Sequence, residues 1–223
     1  MRAAECRILA AAAADLARAQ TELSQSLARD TGCSLRFSLG SSGMLARQIE
    51  NGAPFDVYLS ANQLFVEQLT ASRKLLPGSV RTYAVGRLGL WSRSGRIRSP
   101  EDLLKVRHVA IPNPLHAPYG VAAREALRKL GLWDRISGRI VYGENVQQAF
   151  QFAQTGNAEA VITAWALVYD RGGILLPAAL HAPIRQAGGV VSASGNREAA
   201  LRFLEWLTSP RGKQVLRRYG FEQ

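Results

Sequence analysis

Four junctions between a predicted strand and a predicted helix place polar groups where they could bind an anion. Asp15 follows the first apolar run, and Ser42 lies in a Gly-Ser-Ser-Gly turn. Tyr119 and Val146 lie at two similar junctions in the second half of the chain. The first amides of a helix have no partner inside it and lie at the positive end of its dipole, so such junctions bind oxyanions. The pattern predicts a small-oxyanion site built from uncharged donors, unless Asp15 and Ser42 only cap their helices.

Groups for catalysis or for binding a metal cation are sparse. The three histidines, His108, His116 and His181, are far apart, and the sequence has no HExxH pair and no Cys/His cluster. It also lacks a GxxxxGKS/T phosphate loop, and the Gly-Ser-Ser-Gly turn does not have the GxSxG spacing of a nucleophile elbow. We therefore expect a binding protein rather than an enzyme, with no cofactor and no cation site built by the protein.

Strands and helices are predicted to alternate along the chain, as in α/β proteins. The predicted strands cover residues 5–11, 34–39, 56–60, 83–92, 109–111, 139–142, 160–164 and 190–192. The predicted helices cover 15–28, a segment through Leu45 and Ile49, 63–72, 120–130, 146–155, 197–208 and 210–218. This order predicts sheets with parallel strands and helices on both faces. Because the alternation restarts after residue 83, we expect two lobes, 1–83 plus 189–223 and 84–188. Strands that cross near residues 83–86 and 185–189 are expected to join them, with a cleft between the lobes.

The charge balance favours an anionic partner. Among 223 residues, 28 Lys and Arg outnumber 17 Asp and Glu, which gives a formal net charge of +11. The basic residues are spread along the chain without an aromatic-lined patch or a helix-turn-helix, so nucleic-acid binding is not expected. No apolar run approaches the roughly 20 residues that span a bilayer.

Two cysteines, Cys6 and Cys33, lie near the predicted starts of neighbouring strands. They are too few for a disulfide scaffold or a zinc knuckle, and neither belongs to a CxxC pair. One disulfide and two free thiols are both compatible with the sequence, because sequence spacing does not fix the distance between the sulfur atoms.

Seven segments, in order along the whole chain, resemble the periplasmic molybdate-binding proteins of ABC transporters. They are 11–16 (AAAADL), 40–49 (GSSGMLARQI), 52–57 (GAPFDV) with 60–61, 113–120 (NPLHAPYG), 143–146 (GENV), 156–158 (GNA) and 219–221 (YGF). The resemblance implies the type II periplasmic-binding fold, with two α/β lobes whose sheets are mixed but mostly parallel and are joined by a two-stranded hinge. It also implies that molybdate or tungstate is held between the lobes.

The resemblance further implies a ligand set. Ser42 would donate its hydroxyl, Tyr119 would reach the ligand from the second lobe, and Val146 would donate its backbone amide. Asp15 occupies a position where relatives often have Ser or Asn, and its carboxylate would repel a dianion if it faced the ligand. We expect the Asp15 side chain to cap its helix while the main-chain amide binds. Some relatives have a later tyrosine, aligned here with Ala164, and Tyr119 is expected to replace its hydroxyl.

The role implied by the resemblance is that of a monomeric, periplasmic or extracytoplasmic receptor. It would capture molybdate or tungstate and deliver it to the membrane permease of an ABC importer. The start of the sequence lacks the pattern of an export signal, which we expect to have been removed. Two alternatives remain open: a receptor for another small oxyanion, and an effector-sensing domain of the same fold.

Overall fold

The computed structural model describes residues 6–223, which fall into two compact units. Unit 1 comprises the described residues up to Ala84, Arg185–Arg218 and Gln223. Unit 2 comprises Val85–Ile184 and Tyr219–Glu222. The chain therefore passes between the units after Ala84, after Ile184 and again close to its C-terminal end.

The strands and helices have the following bounds. The strands are β1 (Arg7–Ala13), β2 (Ser34–Gly40), β3 (Val57–Ser60), β4 (Arg81–Gly86), β5 (Leu88–Trp91), β6 (Val109–Pro112), β7 (Ile140–Gly143), β8 (Ala160–Ala164), β9 (Ile174–Leu175) and β10 (Ile184–Val190). The α-helices are α1 (Gln20–Thr31), α2 (Ser42–Glu50), α3 (Gln63–Ala71), α4 (Pro118–Lys129), α5 (Trp133–Ile136), α6 (Val146–Thr155), α7 (Trp165–Val168), α8 (Arg197–Thr208) and α9 (Pro210–Arg218). Short 3₁₀ helices occur at Ala14–Arg18, Pro100–Lys105, Ser137–Arg139 and Ala178–Leu180.

Unit 1 is built on a five-stranded sheet in the order β2-β1-β3-β10-β4. β1 pairs in parallel with β2 and β3, whereas β10 runs antiparallel to β3. All four residues of β3 are buried, as expected for a central strand covered on both faces. Leu45 and Ile49, one turn apart on α2, pack in one buried cluster with Val66 and Leu69 of α3. The helices thus bury their apolar faces against the sheet and fix where their N-termini lie.

Unit 2 repeats this plan with a second five-stranded sheet, in the order β7-β6-β8-β5-β9. β6 pairs in parallel with β7 and β8, and β5 runs antiparallel to both β8 and β9. Both sheets are therefore mixed, with a parallel set of three strands. Parallel strands end at the same edge of a sheet, so the helices that follow them begin close together.

Three predicted elements differ from the structure. The strand predicted at 83–92 is divided into β4 and β5, because its two parts pair in different sheets. The helix predicted from Asp15 to Ala28 is a 3₁₀ helix followed by α1, which begins only at Gln20. The strand predicted at 190–192 is β10, which begins at Ile184. The predicted strand start at residue 5 lies outside the described residues.

β10 covers the strand expected near residues 185–189, and it contains two adjacent glycines. Gly188 is required there, since a Cβ atom would lie 2.5 Å from Leu59 Cδ2 and 2.8 Å from the Tyr58 carbonyl oxygen. Because Gly188 and Gly189 lie near its end, β10 lacks the regular alternation of side chains that indicates the full length of a strand.

A disulfide joins Cys6 to Cys33, whose Cα atoms are 4.6 Å apart. Of the two possibilities compatible with the sequence, one disulfide or two free thiols, the structure has the disulfide. The bridge ties the starts of β1 and β2 together, beside the hydrogen bond from the Ser34 amide to the Cys6 carbonyl oxygen at 2.8 Å. Within residues 6–223, no helix has both the length and the apolar character needed to cross a membrane.

Candidate functional site

Unit 1 brings two predicted site residues to one edge of its sheet. In the pairing of β1 with β2, Ala13 lies opposite Gly40, so the two parallel strands end side by side. The 3₁₀ helix with Asp15 follows the first strand, and α2 with Ser42 follows the second. Two helix N-termini therefore begin next to each other, and their amides and dipoles favour an anion at this edge.

Ser42 is the first residue of α2, and it is fully buried. Its Oγ accepts a hydrogen bond from the Ala61 amide at 3.0 Å, and its carbonyl oxygen accepts one from the Tyr58 hydroxyl at 2.7 Å. Burial raises the pKa of Tyr58, so this hydroxyl stays protonated and remains a donor at neutral pH. Because Ser42 Oγ is an acceptor toward Ala61, its own proton can be donated to another acceptor. The hydroxyl is thus held by the fold in a position to donate.

Asp15 is buried and is the second residue of the 3₁₀ helix Ala14–Arg18. The N-cap of this helix is Ala13, so the expected capping by the Asp15 side chain is wrong. The physical reason is that β1 continues to Ala13 and the helix starts one residue before Asp15, which places the carboxylate past the capping position. Its Oδ2 instead accepts a hydrogen bond from Nε2 of Gln186 on β10.

Unit 2 brings Tyr119 and Val146 to one edge of the second sheet. Pro112 at the end of β6 lies opposite Gly143 at the end of β7, and the Asn113 amide donates to the Gly143 carbonyl oxygen at 2.7 Å. The helices that follow these strands are α4 and α6.

Glycine is required beside both helix starts of unit 2. A Cβ at Gly120 would lie 2.2 Å from the Pro112 carbonyl oxygen, and one at Gly143 would lie 2.4 Å from the Ala149 amide nitrogen. Distances this short are not tolerated, so larger residues would displace the N-termini of α4 and α6.

Tyr119 is buried at the second position of α4. Because Pro118, the first residue, has no N–H group, the first amide of this helix belongs to Tyr119 itself. Its ring and its amide are thus both placed at the N-terminus of α4.

Val146 is the first residue of α6 and follows the N-cap Asn145. Asn145 Oδ1 accepts hydrogen bonds from the amides of Gln147 and Gln148 at 2.9 and 3.0 Å. This cap satisfies the second and third amides and leaves the first, that of Val146, for another acceptor. Thr163 Oγ1 donates to the Val146 carbonyl oxygen at 2.9 Å, which fixes the helix start against β8.

A contact between His116 and Glu144 joins the two loops that lead into α4 and α6. His116 Nε2 lies 3.4 Å from Glu144 Oε2, and the Glu144 amide donates to Gln148 Oε1 at 2.6 Å. The pair lies beside the main-chain bond from Asn113 to Gly143, so the loops that position Tyr119 and Val146 are linked twice.

The chemistry of the two edges suits an oxyanion better than a cation. Within residues 6–223, no group of three or more His, Cys, Asp or Glu side chains could hold a metal ion. The groups at the helix starts are amides and hydroxyls, which donate to oxygen atoms without adding charge. Asp15 is the exception, and its carboxylate is engaged by Gln186.

Comparison with known proteins identifies the family. Residues 8–222 match the family model described as bacterial extracellular solute-binding protein. The chain belongs to this family. Membership confirms the expected class, a binding protein rather than an enzyme.

Relatives similar to this chain over nearly its whole length include molybdate-binding proteins. The molybdate-binding protein ModA of Rhodobacter capsulatus is 35% identical over 225 residues, which are 98% of this chain and 89% of the relative. The ModA protein of Azotobacter vinelandii is 36% identical over 229 residues, which are 98% of this chain and 90% of the relative. A solved periplasmic molybdate-binding protein of Azotobacter vinelandii superimposes with a TM-score of 0.90 at 31% identity and covers 98% of this chain and 99% of its own. The resemblance and the type II periplasmic-binding fold expected from the sequence are confirmed.

Gln186 was not predicted as a site residue from the sequence of this solute-binding protein. It lies on the last strand, β10, and contacts Asp15. The signal was present, because a Gln inside a buried strand needs a hydrogen-bond partner. The partner could not be identified, since 171 positions separate Gln186 from Asp15 along the chain.

Proposed function

We propose that this solute-binding protein captures molybdate, and with it tungstate, as the receptor of an ABC importer. The observation that supports this most strongly is the likeness to molybdate-binding proteins over 98% of the chain. The helix starts of both units agree with it, because they present neutral donors of the kind that a tetrahedral dianion accepts from all sides.

The proposed ligand set is Asp15, Ser42, Tyr119 and Val146. Ser42 donates its hydroxyl, whose oxygen is already fixed by the Ala61 amide. Val146 donates the first amide of α6, and Tyr119 donates its hydroxyl in place of one absent at Ala164. Asp15 contributes the backbone amide of its 3₁₀ helix. Each donor lies at a helix N-terminus, so the dipoles add to the attraction.

The proposed binding mode uses two lobes, 1–83 plus 189–223 and 84–188, with the ligand in a cleft between them. Asp15 and Ser42 belong to unit 1, and Tyr119 and Val146 belong to unit 2. In this mode the ligand completes its set of donors only when both lobes contact it. Capture would then be coupled to closure, and the closed form would be recognised by the membrane permease.

The proposed setting is periplasmic or extracytoplasmic, and the receptor acts as a monomer. Membership in a family of extracellular solute-binding proteins supports the setting.

A panel of oxyanions tests the function. Thermal unfolding of the purified protein is followed in molybdate, tungstate, sulfate and phosphate at equal concentration and ionic strength. We expect a large rise of the melting temperature in molybdate and tungstate and a small one in sulfate and phosphate. A larger rise in sulfate or phosphate than in molybdate would reassign the ligand, and no rise in any of them would contradict the oxyanion receptor.

A further inference from the structure

The side chain of Gln186 is placed unusually for a strand residue. It is completely buried on β10, where the adjacent Ala187 lies opposite Ser60 at the end of β3. It therefore lies at the edge of the sheet where Ser42 and Asp15 begin their helices. A buried amide is costly unless it is hydrogen-bonded, and this one donates its Nε2 proton to the Asp15 carboxylate.

Tyr83 is a further titratable group close to Asp15. Tyr83 on β4 is buried and directs its hydroxyl toward the Ser60 carbonyl oxygen at 3.5 Å. Burial, and after it the negative charge of Asp15, raises the pKa of Tyr83, so Tyr83 is neutral at neutral pH. Charged residues on the adjoining elements include Arg18 on the same 3₁₀ helix, Glu22 on α1, which pairs with Arg218, and the exposed Arg36 on β2. The others are Arg7 on β1, Arg29 and Asp30 on α1, Arg47 and Glu50 on α2, Arg81 on β4 and the exposed Arg185 on β10.

A carboxylate at an oxyanion site poses an electrostatic problem. Two like charges at close range raise each other's free energy, and the effect is large where water is excluded. A neutral donor on one carboxylate oxygen reduces the repulsion between the carboxylate and the bound dianion in two ways. It stabilises the charge, and it restricts the rotation that would bring both oxygens toward the ligand.

We infer that Gln186 is a positioning residue for ligand binding, which holds the Asp15 carboxylate so that a dianion can bind at the adjoining helix starts. This role rests on the proposed function. In this role Gln186 affects the affinity for the dianion when an acidic residue is present at position 15. It acts through Asp15 and does not contact the ligand.

Loss of the Gln186 side-chain amide is expected to change how the ligand affinity depends on pH. Without this donor, the negative charge of the Asp15 carboxylate is less stabilised, and its repulsion toward a dianion is less compensated. Ligand binding is then favoured by protonation of Asp15, so affinity improves as the pH falls. With the amide in place, the affinity is expected to change less between about pH 6 and about pH 8.

The experiment is a double-mutant cycle read by calorimetric titration with sodium molybdate. Gln186→Met keeps the length of the side chain and removes the donor, and Asp15→Asn removes the charge. Gln186→Met is expected to weaken molybdate binding about tenfold at about pH 8, with a smaller loss at about pH 6, as for a lost hydrogen bond to a charged group. Asp15→Asn added to Gln186→Met is expected to restore most of the affinity and to flatten the pH profile.

Ser79→Ala is the matched control. Ser79 Oγ accepts a hydrogen bond from the Val190 amide at 3.0 Å, at the other end of β10. Its loss is expected to lower the melting temperature without changing the pH profile. If Gln186→Met fails to fold, Gln186→Asn retains the amide but is one methylene shorter, and it is expected to show the same pH-dependent loss.

The outcomes separate the two proposals. Failure of the unmodified protein to bind molybdate would contradict the proposed function. Normal binding by the unmodified protein, together with an unchanged pH profile in Gln186→Met or no recovery in the double variant, would contradict the role of Gln186 alone.

Discussion

Ser42 is proposed to bind the ligand and also stabilises the start of α2. Its replacement is therefore expected to lower both the ligand affinity and the stability of the free protein. Its hydroxyl oxygen accepts from the Ala61 amide, and its proton is proposed to go to the ligand. Ser42→Ala is expected to lower molybdate affinity by about 1.5–3 kcal/mol, the range for a hydrogen bond to a charged group. It is also expected to destabilise the free protein by about 1–3 kcal/mol, because the buried Ala61 amide loses its acceptor.

Ser60→Ala is the control that distinguishes a loss of ligand affinity from a loss of stability. Ser60 is also buried, and its Oγ bonds to the Asn62 amide at 3.0 Å and to the Asn62 carbonyl oxygen at 2.8 Å. This variant is expected to lose stability while keeping its affinity. Calorimetric titration and denaturant unfolding of both variants provide the measurements. Equal affinities of Ser42→Ala and the unmodified protein would leave Ser42 with a structural role only.

Tyr119 supplies the test of unit 2. Tyr119→Phe keeps the buried ring and removes one hydroxyl, and the stability of the free variant is measured beside its affinity. Affinity for molybdate is expected to fall about tenfold, as for one lost donor to an anion. Titration calorimetry on the variant checks this. An unchanged dissociation constant would mean that only the amides of α4 and α6 reach the ligand from this unit.

At the scale of the elements, the helix starts were the most predictable feature. The Gly-Ser-Ser-Gly turn and the Gly-Glu-Asn-Val segment indicate where a strand ends and a helix begins, and α6 begins at Val146 as predicted. The neighbours of each site residue were not predictable. The Asp15 environment depends on Gln186, and the register of β10 that places Gln186 there depends on Gly188, which has no side chain to show in a hydropathy pattern.

The disulfide holds the first two strands of unit 1 together at the ends opposite the site. It closes a loop across a sequence separation of 27 residues, and its removal relieves the unfolded chain of that constraint. Replacing both Cys6 and Cys33 by Ser is expected to cost about 2–4 kcal/mol of unfolding free energy. Molybdate affinity is expected to stay close to that of the unmodified protein. Urea unfolding measures the first quantity, and a loss below 1 kcal/mol, on the order of a surface change, would contradict it.

In unit 2, the contribution of Asp102 on the 3₁₀ helix Pro100–Lys105 to the stability of the fold is expected to depend on pH. The hydrogen bond from the Lys105 side chain, and then that from the Arg98 amide, lower the pKa of Asp102 from 3.8 to about 2. Since the folded-state pKa lies below the ordinary value, this stabilisation is present above pH 3.8 and is lost as the pH falls toward about 2. An NMR titration of the Asp102 carboxyl carbon is expected to show the lowered midpoint, and Lys105→Met is expected to raise it. An ordinary midpoint in the unmodified protein would exclude the contact in solution.

At the scale of the whole molecule, the two units share one plan. Each has a mixed five-stranded sheet whose parallel strands bring two helix N-termini to one edge. The alternation of strands and helices made this plan predictable from the sequence, whereas the break of residues 83–92 into two separate strands was not. Hydropathy reports that a strand is buried but does not report in which sheet it pairs.

The central claim is that the protein is a receptor for molybdate, and calorimetric titration of the ligand-free protein tests it most directly. We predict one molybdate per chain, with binding tight enough that about a thousandfold excess of free molybdate over its dissociation constant adds about 4 kcal/mol to the unfolding free energy. Sulfate at the same concentration is predicted to compete weakly. Absence of saturable binding heat with molybdate, together with an unfolding free energy that molybdate leaves unchanged, would contradict the account.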